Sequence, residues 1–276
     1  MIPLKSWRAE HVLCFIIAAL MVLQSAGGLF IDGLYRDNVR VTSAWLGNDL
    51  VTLVIAVPFL LGSAAFALKG SLRARLIYLG VLYYELYNNM YYLFGSAFNR
   101  FFLVYEALLV LAASALIFGL SKITMDRVGE AFKPGTPRKA VSGFMLLLAA
   151  VLCVIWIGQI ASSMASGSVP RMVTNAGWLT HLVAVFDLSM IVPPLLLGTV
   201  WLWRSRPWGY VTASIVLVQC ALYSVVLLAV PPFQAAAGIP GAWDLTPVWG
   251  ALGAGCLLFA VLLLANMSSS STSASR

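Results

Sequence analysis

Apolar residues occur along this chain in runs of about twenty, separated by short polar segments. Runs long enough to cross ~30 Å of hydrocarbon as helix lie near 12–31, 50–68, 76–95, 101–120, 142–163, 180–203, 209–230 and 246–266. Strands of a membrane barrel would be about half that length and would alternate apolar with polar positions, so the pattern predicts helices. The eight segments fall into two groups of four, and the second group echoes the first at an offset of 133 to 136 residues. Gln24 recurs as Gln159, Arg36 as Arg171, Trp45-Leu46 as Trp178-Leu179 and Tyr87 as Tyr223. Pro58 with Leu60-Leu61-Gly62 recurs as Pro194 with Leu196-Leu197-Gly198. The expected fold is an all-α integral membrane protein of eight transmembrane helices, arranged as two four-helix repeats. Because four spans return the chain to its starting side, the copies are expected to be parallel.

Composition agrees with a bilayer as solvent. The chain is 61% hydrophobic and 10% charged, with a mean hydropathy of +0.93, whereas soluble domains carry about a quarter charged residues. Lys5 and Arg8 ahead of the first segment resemble the start of a secretory signal. Its apolar stretch continues through Leu29, Phe30 and Ile31, however, and the repeat needs it as partner of 142–163, so it is expected to be retained. With the N-terminus inside, 13 of the 17 cations fall on the cytoplasmic side, leaving Arg36, Arg40, Arg100 and Arg171 outside. This bias predicts that both termini are cytoplasmic in a multi-pass protein of the cell (inner or plasma) membrane. It also accounts for the net charge of +7 through attraction to anionic lipid heads, without a nucleic-acid partner. The basic, proline-bearing stretch around Lys133-Pro134-Gly135 reads as the linker. The units are therefore 1–135 and 136–267, with a polar tail, 268–276, expected to be disordered.

Candidate chemistry is confined to polar residues at membrane depth. Cys14, Cys153, Cys220 and Cys256 lie singly in apolar segments, and no Walker loop, GxGxxG, HExxH or GxSxG elbow occurs. Neither a cofactor nor a metal is expected from these patterns. Polar groups are costly in lipid and so are candidates for function. On the third segment Glu85, Asn88, Asn89 and Tyr92 share one helical face, and Glu106 in the fourth reaches a similar depth after a short turn. Asp49, Gln24, Gln159, His181 and Asp187 fall in the same outer half, and the second group adds a stripe of Gln219 and Tyr223 on the seventh segment. An outward-facing cavity lined by Glu85, Glu106, Asn89 and Asp49 is expected. Structural readings stand beside this one. Asp49 after Gly47-Asn48 has the form of a helix cap, His181 that of a solvated interfacial residue, and the three glutamines that of interhelical hydrogen bonds. Proline kinks at Pro58 and Pro193-Pro194 would open room nearby.

Leu29-Phe30-Ile31-Asp32, Asp49-Leu50, Pro58-Phe59, Phe66-Ala67-Leu68-Lys69-Gly70 and Leu103-Val104-Tyr105 resemble the four-helix emopamil-binding/sigma-2-receptor domain, EXPERA, over the first 120 or so residues. Tandem copies occur in one branch of that family. The resemblance implies a pocket for a sterol-like or other amphipathic lipid, with Asp32 and Asp49 at ligand-contacting positions. The isomerase members carry a histidine and a glutamate one turn apart on the second helix. Here Asp49 is followed four residues on by Leu53, so sterol isomerisation is not implied. The overall pattern also resembles bacterial polytopic membrane proteins of unassigned function.

Three function classes follow. Binding of a lipid-like or amphipathic small molecule in an acidic, aromatic pocket comes first, because the cytoplasmic half lacks an ionisable path. A proton-coupled transporter of small solutes or cations is the alternative, and an intramembrane acid/base enzyme is the third. The topology has a direct test. A single cysteine at Gly135 should be shielded from impermeant thiol reagent in intact cells, and one at Ser168 should react; labelling of Gly135→Cys from outside would reverse the orientation.

Overall fold

The computed structural model describes the backbone of residues 4–268 and the side chains from 10 onward. The polar tail beyond this range lies outside the described residues. Within it the regular elements are helical, apart from one isolated bridge between Phe132 and Met267. In chain order the helices are α1 Leu4–Phe30, α2 Val39–Val51, α3 Val57–Leu68, α4 Leu72–Gly95, α5 Phe102–Ser121 and α6 Met125–Ala131. After these come α7 Arg138–Ser166, α8 Arg171–Ala176, α9 Leu182–Phe186, α10 Val192–Trp203, α11 Pro207–Ala236 and α12 Thr246–Ala265. Seven spans among the described residues are long and apolar enough to cross a membrane: Glu10–Phe30, Val39–Leu68, Phe102–Ser121, Arg138–Ser166, Leu182–Trp203, Pro207–Ala236 and Thr246–Ala265. The protein is therefore read as a multi-pass membrane protein.

Helix α4 is absent from those seven, although its 24 residues would extend about 36 Å. Arg73, Arg75, Glu85, Asn88 and Asn89 lower its hydropathy. Its surroundings explain how it keeps them, since no residue from Ala74 to Leu93 is exposed. The apolar helices stand around it and take the lipid-facing positions, leaving α4 as the buried polar axis.

The bundle has two distinct ends. At one, the loops around 31–38, 96–101, 167–181 and 237–245 gather: Asn38 Nδ2 donates to the carbonyl of Asn175 at 3.1 Å, Trp178 Nε1 to that of Gly95 at 2.8 Å, and the amide of Ala97 to Asp37 at 2.8 Å. At the other, basic end, Arg73 donates to the carbonyl of Met267 at 2.8 Å, and the linker pairs its backbone with the end of α12 through Lys133 to Asn266 and Ser268 to Ala131. There Glu10 is clamped by Arg75 at 2.9 Å and Lys122 at 3.1 Å, which ties α1, α4 and the end of α5 together.

The second crossing starts earlier than its apolar run. Helix α2 begins at Val39, capped by Asn38 Oδ1, which accepts from the amide of Val41 at 3.0 Å. Asp49 therefore sits well inside a helix and caps nothing. Polar Thr42, Ser43, Asn48 and Asp49 hid this start, because hydropathy sees their transfer cost and not the protein groups that satisfy them.

The proline kinks take a specific form. Thr52–Ala56 and Asp187–Ile191 are π turns, closed by i→i−5 bonds from the amides of Val57 to Thr52 O and of Val192 to Asp187 O. Each precedes a proline that lacks the amide needed for an α-helical bond, so a widened turn lets the helix pass the ring without breaking. The two turns stand 135 residues apart, as do the helices α3 and α10 that follow them.

Helices α4 and α11 pack closely at the centre. A Cβ on Gly80 would lie 2.6 Å from Val218 Cγ1 and 3.1 Å from the carbonyl oxygen of Ile215. Small residues let backbones approach in this way in membranes. Gly80→Val should overpack the contact and cost about 1–3 kcal/mol, read as a lower midpoint of thermal unfolding in detergent. An unchanged midpoint would mean that this contact does not set the α4–α11 distance.

Candidate functional site

Helix α4 distributes polar side chains to two neighbours. Tyr84, Asn88 and Tyr92, spaced four residues apart, face α2. Asn48 donates to Asn88 Oδ1, Thr52 and Tyr84 share a hydrogen bond at 2.9 Å, and Tyr92 donates to Asp49 Oδ1 at 2.8 Å. Tyr83, Tyr87 and Tyr91, on the adjacent face, turn toward the second half of the chain. Tyr83 donates to the carbonyl of Met190, whose α-helical partner would be Pro194, a residue without an amide hydrogen. Tyr87 donates to Asp187 Oδ1 and shares a 3.0 Å bond with Tyr91.

Two aspartates thus form two different sites. Asp49 is fully buried and is held by Tyr35 at 2.6 Å and Tyr92 at 2.8 Å. Gly28 of α1 faces it so closely that a Cβ there would lie 1.9 Å from Asp49 Oδ2. Burial, and then the carboxylate beside it, pushes the Tyr35 phenol well above its ordinary value, which keeps it a proton donor. Below this pair, Asn89 Nδ2 donates to Glu85 Oε1 at 2.7 Å. Glu85 Oε2, Asn89 Oδ1 and both amide atoms of Gln24 have no partner among the described residues. Asp49, Glu85 and Asn89 are thus buried polar groups of the first half that do not line the cavity.

Asp187 is built differently. It opens the second π turn, takes one bond from Tyr87 and another from Trp156 Nε1 at 2.7 Å, and faces a cavity of about 530 Å³. That volume lies within the range of small-molecule sites. Arg40, Trp45 and Asn48 of α2 line it, as do Tyr87 and Tyr91 of α4 and Leu148, Leu152 and Trp156 of α7. Opposite stand Gln219, Tyr223 and Gln234 of α11 and Trp249, Leu252 and Cys256 of α12. Along α11 the lining runs from Gln234 near the long-loop end to Gln219, 15 residues or roughly 22 Å deeper. The rings of Tyr87 and Tyr223 meet edge-on at 4.9 Å, and those of Tyr91 and Tyr223 stack at 6.1 Å. Gln219 Oε1 is buried on this wall without a partner. Among the described residues no lysine or arginine lies within 4.0 Å of Asp49, Glu85 or Asp187; the salt bridges found both involve Glu10.

His181 caps α9 through Nδ1, which accepts from the amide of Ala184 at 3.2 Å, leaving Nε2 for Gln159 Oε1 at 3.3 Å. Both contacts are met by a neutral ring protonated at Nε2. Burial lowers its pKa in the same sense. His181 is buried rather than solvated, and Gln159 makes a bond between α7 and the start of α9. Asp37, in the loop before α2, has its pKa raised by burial, against which the Ala97 amide and the Trp45 indole act.

Of the residues singled out in the sequence, Asp187, Gln219 and Tyr223 meet at the cavity. Asp49, Glu85, Asn88, Asn89 and Gln24 are buried in the first half. Asp32 is exposed in the loop after α1, and Glu106 is exposed on α5. The cavity expected between Glu85 and Glu106 is therefore not formed. Tyr105, Leu108, Ala112, Ala115 and Gly119 make the buried stripe of α5, and Glu106, one residue from that stripe, is turned about 100° away. Trp156, Arg40, Asn48, Tyr87 and Tyr91 line the cavity and were not among the expected site residues. Trp156 had a signal, because a tryptophan one turn before Gln159 in mid-segment does not fit an interfacial belt. Tyr35 had none, since nothing in a loop sequence shows that it folds back onto Asp49.

Searches against protein-family models, curated proteins and solved structures find no match for the chain.

Removing a donor from a fully buried carboxylate should cost more than altering an exposed one. Tyr92→Phe is expected to destabilise by about 1–3 kcal/mol and Glu106→Gln by less than ~0.5 kcal/mol, compared by thermal unfolding in the same detergent. Equal effects would remove the distinction drawn between the two carboxylates.

Proposed function

We propose that this protein binds a lipid-like or amphipathic small molecule in the cavity beside Asp187. The observation that carries this reading is a carboxylate without a cation partner, held by Tyr87 and Trp156 on the wall of a 530 Å³ space lined largely by apolar and aromatic side chains. A buried acid of this kind is expensive in a membrane protein unless it serves a ligand or a proton. The combination of a deep apolar shaft and few polar groups suits an amphiphile better than a sugar or an ion.

The same reading takes α4 as an eighth crossing and the chain as two parallel four-helix units with both termini at the basic, cytoplasmic end. The two π turns at an offset of 135 residues, each followed by a twelve-residue helix, support the duplication. It also offers a reason for the cavity. Where α4 carries Glu85, Asn88, Asn89 and Tyr92, the corresponding stretch of α11, from Cys220 to Leu228, is smaller or apolar apart from Tyr223. Proton-coupled transport is the second reading, favoured by the unpartnered oxygens of Glu85 and Asn89 in the first half.

Native mass spectrometry of the purified protein in a neutral detergent tests binding. A small amphiphile should co-purify at close to one per chain, and Ala44→Trp, which fills the cavity wall, should lose it while keeping its size-exclusion profile. A wild-type protein without such a molecule, together with an indifferent Ala44→Trp, would overturn the binding reading. Solute uptake into proteoliposomes abolished by Glu85→Gln would favour transport instead.

A further inference from the structure

The cavity holds an acid and a base for which no counter-ion lies within 4.0 Å among the described residues. Asp187 has hydrogen-bond donors but no lysine or arginine within that distance among them. Arg40, in the first turn of α2, lines the same cavity with no carboxylate within 4.0 Å among the described residues. The two stand at different depths. Asn48 bonds Asn88 and Asp187 bonds Tyr87, so Asn48 and Asp187 share a level on adjacent residues of α4. Arg40 is eight residues from Asn48, roughly 12 Å nearer the long-loop end. Leu148, two turns below Trp156 on α7, extends the lining a similar distance toward the basic end, where Cys256 and Leu252 join it.

From mouth to floor the cavity therefore offers a cation, then a carboxylate held by Tyr87 and Trp156 with Tyr91 and Tyr223 on the same wall, then a mainly apolar depth whose one unpartnered polar group among the described residues is Gln219 Oε1. A carboxylate in an aromatic-lined cavity favours an ammonium group. A guanidinium at the mouth favours a phosphate, sulfonate or carboxylate. A ligand that satisfies the whole column has its anionic end outermost, its ammonium in the middle and its alkyl chain deepest.

We propose that the cavity selects single-chain zwitterions in which the ammonium lies between the tail and the anionic group. This rests on the reading of the cavity as a binding site and adds an order of charges to it. Ordinary choline or ethanolamine phospholipids have the reverse order, tail then phosphate then ammonium. They would set a phosphate against Asp187 and an ammonium against Arg40, both like-charge contacts.

Four submicellar probes with the same octyl chain separate the possibilities by calorimetry on the protein in lipid nanodiscs. They are octyl dimethylammoniopropanesulfonate, octylphosphocholine, octyltrimethylammonium and octanesulfonate. The sulfobetaine should bind on the order of tenfold more tightly than its charge-reversed counterpart, octylphosphocholine. Asp187→Asn should weaken the sulfobetaine and octyltrimethylammonium alike. Arg40→Gln, a change at the mouth that leaves the buried hydrogen bonds alone, should weaken the sulfobetaine several-fold and leave octyltrimethylammonium unchanged. Equal or tighter binding of octylphosphocholine, or no effect of Arg40→Gln on the sulfobetaine, would overturn the charge order while leaving an amphiphile site in place. If none of the four binds saturably, and Ala44→Trp changes nothing, the site itself falls with it.

Discussion

Hydrocarbon offers no hydrogen bonds, and α4 brings more polar groups into the bundle than any other helix. Left without partners such groups are costly, and most of those on α4 are met by protein, with Glu85 Oε2 and Asn89 Oδ1 as exceptions. This constraint places α4 at the centre, where no residue from Ala74 to Leu93 is exposed, and it dictates what must stand on each side. Its Tyr84, Asn88 and Tyr92 face requires the polar face of α2, and its Tyr83, Tyr87 and Tyr91 face requires the second π turn. One helix thereby joins the two halves through hydrogen bonds whose loss would strand buried donors and acceptors on both partners, a cost of about 1–3 kcal/mol each.

The π turns are the second half of this arrangement. Proline within a crossing frees carbonyls that lipid cannot satisfy. The widened turn reduces the strain, and Tyr83 takes up the carbonyl of Met190. The turn also determines where Asp187 points. As the first residue of the π turn, its carboxylate reaches Tyr87 and Trp156 and borders the open space between α4, α7, α11 and α12. Backbone accommodation and site formation are the same event here, which fits the tendency of π turns to occur at functional positions.

The first half closes where the second opens. Around Asp49 the tyrosines Tyr35 and Tyr92 fill the space, and Gly28 lets α1 come into contact with the carboxylate. Around Asp187 the neighbouring positions of α11 are Cys220, Ser224 and Leu227, all on the cavity wall. Smaller side chains on this wall accompany a void, and a polar rim with a mainly apolar depth gives that void chemical direction. The sealed polar cluster and the open cavity therefore differ in the side chains around each acid and not in the presence of an acid.

The seven spans that are long and apolar enough to cross a membrane were legible as apolar runs, because lipid selects side chains by transfer free energy residue by residue. The prolines that follow the two π turns and the polar character of α4 were legible for the same local reasons. Three things were not. The start of α2 at Val39 was hidden because a helix satisfied by protein can carry Asn48 and Asp49 without an apolar signature. The exposure of Glu106 depended on which stripe of α5 packs inward, and α5 is apolar all round, so its period marks no inner face. The partners of Asp187 depended on α7 and α4 meeting across the second π turn. Sequence spacing orders residues along one helix, whereas a cavity is made of residues on several, and only packing decides which faces meet.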